Sequence, residues 1–144
     1  MVEFIDLDKL YLDSNILVAL YLKRDINPKT KINQSKMVRY IFKEFKRNKK
    51  IRLYISNWVL LETFKVLVKR KNQNPEKVYC WIDDIRSTEK INGLKVQILK
   101  FKSTYSVEEL FKDVKHNLVD FSKISFADNI HIIIMKKSKL KEIL

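Results

Sequence analysis

Glycine, proline and cysteine are nearly missing from this chain, with one, two and one respectively in 144 residues. A lone glycine, Gly93, cannot build a dinucleotide fingerprint or a phosphate-cradling loop, so the usual nucleotide-binding folds are excluded. Cys80 by itself allows no internal disulfide. Together with the two histidines, His116 and His131, it makes no structural zinc site. Long apolar runs are lacking too: Ile16–Leu22 and Ile132–Met135 fall far below the roughly 18–20 residues a membrane span needs. The N-terminus carries Glu3, Asp6 and Asp8 rather than a basic segment leading into an apolar one, so no signal peptide is expected. These absences point to a reduced, soluble, cytoplasmic protein with no membrane partner. With so little glycine and proline, asparagine and serine must supply most turns and helix ends.

What is present is a globular composition, 46% hydrophobic and 11% aromatic. The length suits one domain over residues 1–144, able to bury roughly 68–70% of the surface its unfolded chain exposes. The formal charge of +13 comes from 30 basic residues against 17 acidic ones. One explanation is solubility; the other is affinity for a phosphate backbone through counterion release. The basic residues are spread over Lys43–Arg52, Lys65–Lys71 and Lys136–Lys141, with no detachable tail, so the charge belongs to the folded surface.

Hydrophobic periodicity predicts alternating strands and helices. Residues 9–13 read as a buried strand, and Asp13-Ser14-Asn15 as a turn into a helix that starts near Ile16 and is broken by Asn27-Pro28. Met37, Tyr40, Ile41 and Phe45 mark a helix over Ser35–Lys49. Ile51–Ile55 alternates as a strand, and Ser56 or Asn57 caps a helix to about Arg70. Asn74-Pro75 opens another helix, to about Arg86. Leu94–Phe101 reads as a strand with Val96 and Ile98 inward. Val107, Leu110, Phe111, Val114, Leu118 and Phe121 give a strongly amphipathic helix. Ser125 caps a last helix to about Lys137, and Lys141–Leu144 looks like the opening of a further strand. The expected fold is α/β, a parallel β-sheet flanked by helices on both faces.

Three acids stand in apolar company: Asp13 in Tyr11–Leu22, Glu62 in Trp58–Phe64 and Asp128 in Ile124–His131. A buried carboxylate must be neutralised, paired or placed on a cation. Each has an ordinary explanation. Asp13 can cap a helix, Glu62 can pair with Lys65, and Ser125 with Asp128 fits a capping box. Jointly they say more, because ligands in a parallel sheet collect at the carboxyl ends of strands. Asp13 belongs at such an end, Asp128 in a helix's first turn, and Glu62 on the stripe Trp58-Glu62-Lys65-Lys69. Carboxylates gathered there require a cation, and a hard divalent ion such as Mg²⁺ or Mn²⁺ suits them. Tyr54, Trp58, Tyr79 and Trp81 sit in apolar stripes and read as core or dimer contacts rather than base-stacking platforms.

These residues resemble a known family. Leu12-Asp13-Ser14-Asn15-Ile16-Leu17, the helical Glu62 and Ser125-Phe126-Ala127-Asp128-Asn129-Ile130-His131 look like the leading signatures of PIN-domain ribonucleases. Many of those are the toxins of VapBC toxin–antitoxin pairs. The resemblance implies a single PIN-like domain in which Asp13, Glu62 and Asp128 bind Mg²⁺ or Mn²⁺ and serve hydrolysis of RNA. It implies that Asn15, and more weakly Ser14, support the first acid. His131 matches a position often held by histidine, read here as packing or supporting hydrogen bonding rather than catalysis. Lys65 and Lys69 are the candidates for guiding RNA. A homodimer and a small antitoxin partner are further implied. One departure stands out: the family carries a fourth acid after its last core strand. Here the sequence stops at Lys141-Glu142-Ile143-Leu144, so truncation before that motif is expected. The rival expectation is a catalytically impaired PIN-like module that binds RNA or protein without cutting.

Overall fold

The computed structural model describes residues 9–100, 106–120 and 126–137. In chain order these form β1 (Lys9–Tyr11), α1 (Ser14–Tyr21), α2 (Gln34–Arg47), β2 (Arg52–Ser56), α3 (Asn57–Lys69), α4 (Pro75–Thr88), β3 (Lys90–Ile91), β4 (Leu94–Leu99), α5 (Val107–Asp120) and α6 (Phe126–Lys137). The anticipated further strand at Lys141–Leu144 and the Ser125 cap lie outside the described residues.

The sheet runs in the order β1-β2-β4-β3. β1 pairs parallel with β2, Tyr11 opposite Tyr54, and β2 pairs parallel with β4, Leu53 opposite Val96. Leu53, Tyr54, Ile55 and Ser56 are all buried. Successive strand residues point to opposite faces, so this run means that the sheet is covered on both sides at β2. The expected α/β architecture is thus present, with one addition. β3 joins the edge antiparallel to β4, Ile91 opposite Leu94. Asn92 (φ 49°) and Gly93 (φ 82°) form the two-residue connection, both in the left-handed region that such a hairpin turn requires.

Polar caps replace the missing glycines and prolines. Asp13, Asn33, Ser56 and Asn74 each accept a backbone N–H at the start of α1, α2, α3 and α4. Two of these caps stand at strand ends: Ser56 is the last residue of β2, and Asp13 lies two residues past the end of β1. They stand where the parallel strands end and the helices turn back.

Two differences from the periodicity have physical causes. The first helix ends at Tyr21, before Asn27-Pro28, where the Arg39 guanidinium takes the carbonyls of Leu22 and Lys23 at 3.0 and 3.3 Å. In α2 the buried stripe is Ser35, Val38, Phe42 and Phe45, while Met37 and Tyr40 are exposed. The apolar residues of this helix outnumber the positions its inner face can hold, so of the expected stripe Phe45 is buried while Met37 and Tyr40 are not. α5 shows the same excess: Val114 is buried, whereas Val107 and Phe111 lie open to solvent.

Candidate metal centre

Asp13 is the N-cap of α1, its Oδ1 accepting the Ser14 N–H at 2.7 Å. The ordinary explanation of this acid is therefore met, and the cap also brings its carboxylate to the carboxyl edge of the sheet. Asn15 Nδ2 reaches Asp13 Oδ2 at 3.5 Å, the outer limit of a hydrogen bond. Glu62 projects from α3 towards the same edge, and its partners are Ser14 and His131 rather than Lys65. Ser14 Oγ donates to Glu62 Oε2 at 3.2 Å, and His131 Nε2 stands 3.1 Å from that same oxygen. The other oxygen, Oε1, is buried with no hydrogen-bond partner among the described residues.

His131, on α6, is only 3% exposed. Its Nε2 also lies 3.8 Å from Asp13 Oδ1, so the imidazole faces both carboxylates. Ligand atoms of Asp13, Glu62 and His131 all come within 4.8 Å of one another. Asp128, one turn earlier in α6, is exposed and stands outside this group. Residues three apart lie on neighbouring parts of a helix face, so Asp128 is one turn from His131 along α6. Lys65 and Lys69 are exposed on α3, beyond Glu62.

Behind the imidazole runs a buried chain of hydroxyls that sequence reasoning did not assemble. Tyr11, the last residue of β1 and fully buried, holds its hydroxyl 2.8 Å from His131 Nδ1 and 2.7 Å from Ser56 Oγ. Ser56 Oγ in turn accepts the Val59 N–H at 3.2 Å as the cap of α3. Burial drives the Tyr11 phenol far above its ordinary range. The Ser56 hydrogen bond opposes this only in part, and the negative charges of Glu62 and Asp13 add to it. Tyr11 is thus a neutral hydroxyl.

Donor counting allows the chain to run in either direction, set by the tautomer of His131. With Nε2–H of His131 donating to Glu62, Nδ1 accepts from Tyr11 and Ser56 donates to the Tyr11 oxygen; with the ring proton on Nδ1 instead, Tyr11 accepts it and donates on to Ser56. Every link is satisfied, and the imidazole and Glu62 are held from behind. No motif signals this. Tyr11 reads as one more apolar residue of a strand, and only the β1–β2 register sets it beside Ser56.

The donors fit a divalent cation: two carboxylates, one with a buried oxygen that has no hydrogen-bond partner among the described residues, and an imidazole. Such a group is a candidate metal-binding site.

Neither a model of a known protein family nor a curated protein sequence matches this chain. Among solved structures, its fold is similar to that of a VapC20 toxin from Mycobacterium tuberculosis, described as cleaving the sarcin–ricin loop. The TM-score is 0.61 at 17% identity, over 93% of this chain and 86% of that one. At so low an identity the likeness is one of fold, and the fold is PIN-like. No helix among the described residues is long and apolar enough to cross a membrane.

Proposed function

We propose that this protein is a metal-dependent endoribonuclease that hydrolyses RNA phosphodiester bonds, acting as the toxin of a toxin–antitoxin pair. One observation carries the reading. Asp13, Glu62 and His131 bring their ligand atoms within 4.8 Å of one another at the carboxyl edge of a PIN-like sheet. The charge of +13 supports a polyanionic substrate, and the similar VapC20 structure is described as a sarcin–ricin-loop-cleaving toxin.

In this reading Asp13 and Glu62 hold a divalent cation, Mg²⁺ or Mn²⁺, with Asp128 as a further carboxylate at the rim. The chemistry such a cation supplies is activation of water and offset of charge on the phosphate. The chain's own residues do the rest. Ser14 and His131 fix Glu62 Oε2, and the Tyr11 hydroxyl sets the ring of His131. Asn15 supports Asp13. Lys65 and Lys69 draw the RNA backbone along α3 towards Glu62. Water adds its oxygen to phosphorus, and the departing 3′-oxygen leaves as a hydroxyl, so the products carry a 5′-phosphate and a 3′-hydroxyl. A homodimer and a small antitoxin that covers the site complete the reading.

The test is cleavage of RNA by the full chain with Mg²⁺ or Mn²⁺, and analysis of the product ends. Cleavage that stops with EDTA and is lost in Asp13→Asn and Glu62→Gln is expected. A second reading, binding without cutting, is favoured by one feature: among the described residues, two carboxylates rather than three share the pocket. RNA binding that survives EDTA, with no cleavage at any metal concentration, would establish that reading instead.

A further inference from the structure

Oxygen-rich sites suit Mg²⁺, and the acids alone would describe this one as such. The imidazole changes that description. His131 Nε2 stands 3.1 Å from Glu62 Oε2 and 3.8 Å from Asp13 Oδ1. The first matches neighbouring ligands around one ion with bonds of about 2.1 Å, and the second lies within twice that bond length. The ring is 97% buried and faces the carboxylates, and Glu62 Oε1 is buried without a partner among the described residues.

We propose that His131 is itself a ligand, so that Asp13, Glu62 and His131 form a mixed nitrogen–oxygen site that takes a first-row transition-metal dication in preference to Mg²⁺. The inference rests on the metal-dependent reading above and refines which metal serves it.

The residues behind the ring make the role feasible. A histidine that ligates through Nε2 needs its proton on Nδ1 and an acceptor there. The Tyr11 oxygen, 2.8 Å from Nδ1, is that acceptor once the phenol turns its own proton towards Ser56 Oγ, 2.7 Å away. Ser56 Oγ then accepts from Tyr11 and from the Val59 N–H. The hydroxyl chain can run either way, and ligation through Nε2 selects the direction that points away from Glu62. Nitrogen donors favour Co²⁺, Ni²⁺ and Zn²⁺ over Mn²⁺, and all of these over Mg²⁺.

The experiment uses the full chain. Titration calorimetry with Mg²⁺, Mn²⁺ and Co²⁺ is expected to show the transition metals binding at least about tenfold tighter than Mg²⁺. Pulsed EPR of the Mn²⁺ form is expected to show hyperfine coupling to an imidazole nitrogen. His131→Gln should abolish that coupling and weaken Mn²⁺ by about 10–100-fold, while Mg²⁺ binding falls less. Because His131 is buried and its variant can misfold, Tyr11→Phe serves as a second probe. It should weaken Mn²⁺ and leave the nitrogen coupling in place. Metal bound without nitrogen coupling, and with Mg²⁺ as tight as Mn²⁺, overturns the inference and leaves the nuclease reading standing. No binding of any of the three ions overturns both.

Discussion

Replacing Tyr11 by Phe removes one oxygen atom and tests the whole arrangement behind the site. The ring of Tyr11 is fully buried and its shape is conserved by the change, so packing is little altered. What is lost are two hydrogen bonds, at 2.7 Å to Ser56 Oγ and 2.8 Å to His131 Nδ1. Ser56 keeps the Val59 N–H and remains a helix cap. His131 Nδ1 has no such reserve, because the side chain is 3% exposed and water cannot replace the phenol. A buried polar atom left unpaired costs about 1–3 kcal/mol, which sets the expected loss of stability. In a chain of this size that is a fall in Tm of about 3–10 °C. Urea unfolding followed by circular dichroism measures it directly. Ser56→Ala and the double variant complete a cycle, with a coupling of at least about 0.5 kcal/mol expected between positions in contact. A Tyr11→Phe protein as stable as wild type, or single effects that simply add, would refute the connected chain and leave Tyr11 as ordinary core.

Further expectations concern the site, the fold and the substrate. Asp13→Asn should abolish RNA cleavage yet cost well under 1 kcal/mol, because asparagine caps a helix as well as aspartate does; parallel activity and denaturation assays check both halves. Gly93→Ala should cost about 1–2 kcal/mol by urea unfolding, since φ is 82° there and the nearest atom to an added Cβ, Lys46 Nζ, is 3.8 Å away, so strain rather than a clash is the cause. Leu67→Ala, at a fully buried position of α3, should cost about 2–5 kcal/mol in the same assay and lower activity only through the folded fraction. RNA affinity should fall linearly with salt on logarithmic axes. Lys65→Ala with Lys69→Ala should flatten that slope by about 1.4, the contribution of two phosphate contacts.

The parts of the fold that were legible in the sequence are those governed by local chemistry. Asn74-Pro75, Ser56 and Asp13 announce helix starts because a side-chain acceptor beside free N–H groups acts within three residues. The run Leu53-Tyr54-Ile55 announces a strand covered on both sides because no polar residue interrupts it. The β3–β4 hairpin was equally local, Asn92-Gly93 between Ile91 and Leu94. Its first strand is too short for alternation to mark it, since β3 has only two residues. Stripe rotation was not legible where apolar residues outnumber the buried positions, as with Met37 and Tyr40 beside Val38 and Phe42. The site divides along the same line. Asp13 and Glu62 could be picked out, since a carboxylate among apolar residues is costly wherever the chain goes. His131 could be picked out only as a supporting residue, because an imidazole on an apolar helix is cheap to bury and carries no sign of its partners. Its place between two carboxylates depends on α6 meeting α3 and β1, 69 and 120 residues away along the chain from Glu62 and Tyr11. The inner atoms of the site are therefore set by tertiary packing. Asp128 shows the converse: its sequence context marks it as strongly as Asp13, yet the first turn of α6 leaves it exposed while the buried position goes to the histidine one turn on.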